Sequence, residues 1–159
     1  MEQLIDEVQA AFDHRPTEIE SGLNVDDAAL LQLRKGCRLL AGAAALQDAA
    51  YYTLVIEASF VAIERTVEFR LFERGTTQPD DLPGTHSGVY REAARTGIFA
   101  ESTAADLADL WRNYQAKTYY QDGLATADRA EKTYALAAEV HTFVNYPTLL
   151  RSVERDLAR

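Results

Sequence analysis

The apolar residues of this sequence recur at helical spacing over most of its length, and few glycines or prolines interrupt them. Leu4, Ile5, Val8 and Phe12 fall on one helical face, and Pro16 is predicted to end this first helix. The sequence contains no alternating pattern long enough for a strand and no internal repeat. It therefore predicts an all-α protein, an up-and-down bundle with a long helical hairpin, in one domain over residues 1–159.

Capping and turn residues set the expected helix boundaries. The segment from Tyr51 to Gly75 is predicted as a central helix, because its apolar residues occupy more than one stripe. A loop over 76–86 precedes a short helix that ends at Gly97. The other predicted helices are 25–47 capped by Asn24, 104–121 capped by Ser102 or Thr103, 127–144 capped by Thr126, and a last amphipathic segment that opens at Pro147.

Charge and cysteine content exclude several classes of protein. The chain has 16 Lys and Arg against 25 Asp and Glu, a net charge of −9, which disfavours broad binding of nucleic acid or anionic lipid. Nucleic acid would need a local basic patch or basic groups gathered between subunits. The single cysteine, Cys37, excludes a disulfide framework and a multi-cysteine zinc site. With no membrane-length apolar run and no signal-peptide pattern, the sequence predicts a cytoplasmic protein that does not contact membranes.

The histidines give no metal-binding pattern. His14, His86 and His141 are scattered, so neither a metal nor a cofactor is predicted. His86 opens a helix, where a capping or solvated role is expected. His141 lies late in its predicted helix, where a cation would suit the helix dipole.

Glu57, Glu64 and Glu68 share a face of the most apolar segment, but no Glu-x-x-His pair accompanies them as a di-metal site would need. They form either a solvated stripe with ion pairs to Arg65 and Arg70, or a buried acid that orients an arginine of a site.

The segment from Asp106 to Gly123 carries the most informative side chains. On a helix, one side is predicted to face the core and comprises Leu107, Leu110, Trp111, Tyr114 and Thr118. The opposite side comprises Arg112, Asn113, Tyr119 and Tyr120, with Lys117 at the edge near Asn113. A guanidinium, an amide and two phenols are unusual for a solvated face, so this side is interpreted as a protein interface or surface, or as a polar site.

The stretch from His86 to Tyr120 resembles the HEPN domain superfamily, particularly the toxin of HEPN/minimal-nucleotidyltransferase toxin–antitoxin pairs. Its sequence is HSGVYREAARTGIFAESTAADLADLWRNYQAKTYY. That family has an Arg-Asn pair, and its signature is Arg, four residues, His, one residue, Tyr. Arg112 and Asn113 match the Arg-Asn pair, Tyr119 stands at the tyrosine position, and Lys117 replaces the histidine. The likeness covers roughly residues 25–145 and includes the order of the helices.

The resemblance implies a homodimeric, metal-independent endoribonuclease in which Arg112 binds the scissile phosphate, Asn113 orients it and Lys117 takes the place of the histidine. Because lysine is a poor general base near neutral pH, the activity is expected to be weakened or lost. The resemblance also implies a nucleotidyltransferase antitoxin that transfers AMP to Tyr119, or to Tyr120 beside it. A two-fold axis through this face would gather Arg112 and Lys117 of both copies into a cationic cleft for RNA or a nucleotide.

Two non-enzymatic hypotheses remain as alternatives to the toxin hypothesis. The protein could be a HEPN module that binds RNA, a nucleotide or another protein without cleavage. It could also be a purely structural bundle with an interface at the Arg112 face.

Overall fold

The computed structural model describes residues 1–13, 19–120 and 123–157, and every long element in them is an α-helix. The helices are α1 (Glu2–Asp13), α2 (Ala28–Asp48), α3 (Tyr52–Glu73), α4 (His86–Arg95), α5 (Glu101–Tyr120) and α6 (Ala127–Leu157), with a 3₁₀ turn at Pro79–Asp81. The predicted all-α bundle is confirmed. Within the described ranges, none of the helices has the length and apolar character required to cross a lipid bilayer.

Helices α2 and α3 form the predicted long hairpin, and α6 packs along both. The approach of α2 to α3 is close at Gly36, where a Cβ atom would lie 3.1 Å from the Thr66 hydroxyl oxygen. Helices α4 and α5 pack against each other and close the bundle beside α3. The largest apolar side chains of the core come from α3 and α4 and include Phe60, Ile63, Leu71, Val89 and Tyr90.

Helix α3 is the central element, as its apolar pattern predicts. Its buried residues face every direction around the axis and include the charged side chains of Glu64, Glu68 and Arg70. The helix ends where Gly75 adopts a positive φ of 66°, which confirms the predicted glycine at its C-terminus. Gly97, with a φ of 70°, ends α4 in the same way.

Three predicted boundaries are wrong. Helix α2 is capped by Asp27 rather than Asn24, because the Asp27 carboxylate accepts the Leu30 N–H at 2.6 Å. Helix α5 begins at Glu101, before Ser102 and Thr103, since the carbonyl of Ala100 already accepts the Ala104 N–H.

The third wrong boundary is the end of α6, because the helical backbone continues through 147 to Leu157 instead of ending near 144. Proline lacks one backbone donor but does not stop the helix here. The Thr126 cap of α6 is confirmed, since its hydroxyl accepts the Arg129 N–H at 3.3 Å. The predicted end of the first helix at Pro16 lies outside the described residues.

Candidate functional site

A groove opens where α3, α5 and the start of α6 meet, and we call it the α5–α6 groove. Its apolar part consists of Ile56, Phe60, Leu110, Tyr114, Leu124 and Ala125, and its polar part of Asn113, Lys117, Arg129 and Thr133. Leu110 is exposed here, which corrects the expectation that it belongs to the core. The groove thus combines an apolar floor with a polar rim that carries two positive charges.

The rim residues are placed by helix geometry and by the corner between α5 and α6. Asn113 and Lys117 are exposed and lie one turn apart on α5, so both reach the groove as predicted from their spacing. The Gly123 N–H donates to the Lys117 carbonyl at 3.2 Å and turns the chain toward α6. Arg129 follows in the first turn of α6 and donates through Nη1 to the Leu124 carbonyl at 2.7 Å.

Arg112 faces away from this groove. It lines a separate depression between α4 and α5, together with Arg91 and Arg95 and the acidic residues Glu92 and Asp109. Its Nη1 lies 2.7 Å from the Asp109 carboxylate, and both side chains are largely exposed. Within one chain, Arg112 and Lys117 therefore belong to different surface depressions, although Arg112 and Asn113 are both exposed as expected.

Helix α5 ends at Tyr120, so the backbones of both candidate tyrosines are helical. The side chains of Tyr119 and Tyr120, like that of Thr118, lie outside the described residues. Their roles as AMP acceptors therefore remain predictions from the resemblance.

A chain of aromatic rings fixes α5 against α3. The Trp111 ring meets Phe60 edge-to-face, with centroids 5.0 Å apart, and Tyr114 stacks on Phe60 at 5.3 Å. On its other side Trp111 contacts the His86 ring at 4.0 Å. These rings connect the floor of the α5–α6 groove with the start of α4.

His86 leads into a buried cluster of charges on α3. Its Nδ1 lies 2.5 Å from one Glu64 oxygen, and Arg65 lies 2.9 Å from the other. Arg65 also contacts the Glu68 carboxylate at 2.7 Å. The predicted ion pairs with Arg65 are thus present, but Glu64 and Glu68 are buried rather than solvated. His86 is an ion-pair and ring partner, not a capping or solvated residue; the cap is Thr85, whose hydroxyl accepts the Gly88 N–H.

The two carboxylates of this cluster have opposite pKa shifts. Burial alone would raise the pKa of Glu64, but the hydrogen bond and charge of His86 and the charge of Arg65 outweigh it and lower that pKa. Burial raises the pKa of Glu68 to about 7, partly opposed by Arg65 and increased by the neighbouring Glu64. At neutral pH the cluster therefore holds a charged Glu64 and a Glu68 that is partly protonated.

The raised pKa of Glu68 predicts a pH-dependent contribution to stability that is absent in Glu68→Gln. Between the ordinary pKa of 4.5 and about 7, folded Glu68 keeps a proton that the unfolded chain releases, so the contribution of Glu68 to wild-type stability falls as pH rises through this window. The Glu68→Gln variant has no carboxyl at this position, so its stability does not fall for this reason. Its free energy of unfolding relative to wild type is expected to increase by about 1–3 kcal/mol from pH 4.5 to pH 8, measured by urea denaturation. A constant difference between the two pH values would contradict the assignment.

His141 lies in a second, smaller cluster between α2, α3 and α6. The Thr66 hydroxyl donates to the Ala62 carbonyl at 2.8 Å and lies 3.0 Å from His141 Nδ1. The other ring nitrogen of His141, Nε2, faces the Cys37 thiol at 3.6 Å. Burial lowers the pKa of His141, so the expectation of a cation at a helix end is wrong, and α6 in any case continues beyond it.

The sequence did not predict that Arg129, Leu124 and Thr133 line the groove. The signal for Arg129 was weak, because its place beside α5 depends on how the chain turns at Gly123. The described residues contain no cluster of three or more His, Cys, Asp or Glu side chains suited to a metal ion.

Comparison with known families shows a match over most of the chain. A family model described as "Domain of unknown function (DUF8154)" matches residues 1–151. The searches of curated proteins and of solved structures give no match.

Proposed function

We propose that this chain, which belongs to the family described as a domain of unknown function (DUF8154), is a HEPN-like protein that binds RNA or a nucleotide in the α5–α6 groove. The observation that carries the proposal is the presence of both Lys117 and Arg129 at the rim of a mostly apolar groove. In a chain with a net charge of −9, two cations beside an aromatic floor form a local site for a phosphate and a base.

Each part of the groove has a counterpart in a nucleotide. The Lys117 ammonium and the remaining Arg129 donors bind the phosphate, and the Asn113 amide hydrogen-bonds to phosphate, sugar or base. The base packs on the half-buried Tyr114 ring and on the exposed side chains of Leu110 and Leu124. Stacking on an aromatic ring contributes about 1–3 kcal/mol per base. We also propose that the protein is cytoplasmic, which is compatible with RNA or a nucleotide as its ligand.

Charge reversal at Lys117 is the direct test. Lys117→Glu is expected to weaken binding of a short, fluorescently labelled single-stranded RNA at least about tenfold. It should also reduce the salt slope of the affinity by about one, because one phosphate contact is lost. Fluorescence anisotropy titrations at several salt concentrations measure both quantities.

Lys132→Glu is the matched control for this test. Lys132 is an exposed lysine on α6 that pairs with Asp128 at 2.7 Å and does not line the groove. Its reversal changes the net charge equally and is expected to alter affinity less than about threefold. An equal loss in the two variants would assign binding to the overall charge rather than to the groove.

A homodimeric, metal-independent endoribonuclease is the second candidate function. It is favoured by the separate placement of Arg112 and Lys117, two exposed cations of one helix that a second copy could bring to one phosphate. In this proposal Arg112 stabilises the phosphate charge, Asn113 orients it, and Lys117 supplies charge without an efficient proton transfer. A minimal nucleotidyltransferase antitoxin would block the site by adding AMP to Tyr119 or Tyr120.

Cleavage by the purified protein tests this second function. Wild type is expected to degrade RNA slowly in the presence of a metal chelator, because the missing imidazole lowers the rate by about 10²–10⁴-fold. Arg112→Ala is expected to remove the remaining activity, whereas Lys117→His is expected to raise it. Arg91→Ala, which changes another exposed arginine of the same depression, serves as the control. Equal cleavage by wild type and Arg112→Ala would exclude Arg112 from the reaction.

A further inference from the structure

The first helix exposes an entire apolar face. Leu4, Ile5, Val8 and Phe12 follow one side of α1 and are 64, 51, 55 and 86% exposed. In the described residues, α1 makes no extensive packing contact with another helix. An isolated helix of 12 residues is marginal in water, and a contiguous exposed apolar stripe is typical of a binding surface. Within the described residues, no other helix therefore packs extensively against the apolar stripe of α1.

The charge of α1 indicates what a partner must carry. The helix contains four acidic residues and no Lys, Arg or His, so its polar side is uniformly negative. A matching surface needs an apolar groove with a positive rim. In this protein the α5–α6 groove has that composition, with Leu110 and Leu124 exposed in it and Lys117 and Arg129 at its edge.

We propose that α1 of one copy docks in the α5–α6 groove of a second copy, and that the exchange is reciprocal. The apolar stripe of α1 covers Leu110, Leu124 and Tyr114, while Glu7, which flanks the stripe beside Leu4, approaches Lys117 and Arg129. No residue of α1 lines the groove of its own chain, so both complementary surfaces are open in each copy. A two-fold arrangement fills both grooves with the same contact and closes the assembly at a dimer.

Helix α1 and RNA would compete for the same groove, so the oligomeric state is measured without RNA and its result does not depend on the RNA proposal. Wild type is expected to sediment as a dimer at tens of micromolar, and Val8→Asp is expected to raise the dimer dissociation constant at least about tenfold. Phe143→Asp places the same charge on an exposed apolar residue outside both surfaces and is expected to leave the dimer intact. A monomeric wild type, or a Val8→Asp variant that dimerises as wild type does, would overturn the proposal.

A charge exchange and a cross-link locate the contact. Lys117→Glu is expected to weaken the dimer, and adding Glu7→Arg is expected to restore it. In a mixture of unlabelled and ¹⁵N-labelled protein, a carbodiimide is expected to join Glu7 of one isotope to Lys117 of the other. Cross-links confined to one isotope would mean that α1 folds onto its own chain and would overturn the exchange.

Discussion

Replacing Arg65 with methionine is expected to destabilise the folded protein by about 3–5 kcal/mol at pH 8, because it removes one partner from buried ion pairs. The guanidinium contacts both Glu64 and Glu68, which lie one turn apart on α3 and are nearly inaccessible to water. Methionine preserves most of the apolar stem but no charge. The two carboxylates would then face each other, with His86 beside Glu64 and the more distant charge of Lys35 acting on Glu68.

The pH dependence of this loss identifies its cause. Without Arg65, the pKa of both carboxyls in the folded state rises, and that of Glu68 moves further above its ordinary value, so the folded variant binds more protons than the folded wild type. Lowering the pH from 8 toward 5 is therefore expected to recover part of the lost stability. Arg91→Met is the control, since Arg91 is exposed, and a change within about 0.5 kcal/mol is expected. A loss that is unchanged or larger at pH 5 would argue against carboxylate repulsion.

Phe60→Ala is expected to cost about 3–5 kcal/mol of stability for a different reason, the opening of a cavity. Phe60 is 1% exposed and contacts the rings of both Trp111 and Tyr114. Its removal leaves a cavity beneath α5. Because α5 also forms one wall of the α5–α6 groove, it cannot fill the cavity without altering that groove. Urea denaturation followed by Trp111 fluorescence reports both the stability and the ring environment.

The same substitution at Phe143 is the matched control for Phe60→Ala. Phe143 is largely exposed, and among the described residues its ring contacts that of Phe99, with a centroid separation of 6.2 Å. Its replacement is expected to cost less than about 1 kcal/mol. Similar losses in the two variants would mean that Phe60 does not anchor α5.

The periodicity of the sequence predicted the helices because the pattern is local. The several apolar stripes of α3 predicted its central position, and the burial of Leu107 beside the exposed Arg112 and Asn113 follows the predicted faces of α5. The helix caps follow less directly from the sequence, because Asn24 and Asp27 are both good hydrogen-bond acceptors within four positions. Which of the two accepts a free N–H of α2 depends on where α2 packs against α3.

The contacts that define the site depend on distant parts of the chain. Leu110 has the spacing of a core residue, but the corner after α5 leaves it uncovered beside Leu124. The contact between His86 and Glu64 requires the loop before α4 to return to the middle of α3. Neither relation leaves a periodic signal in the sequence, because each joins residues from separate helices.

The corner at Gly123 has a consequence for sequence variation within the family. A Cβ atom at this position would overlap the Lys117 carbonyl oxygen, a backbone atom that cannot move without unwinding the last turn of α5. A relative with a larger residue at this position would therefore have an altered end of α5 and a displaced lysine. Glycine here, read together with the residue six positions before it, thus distinguishes family members that keep this groove from those that have lost it.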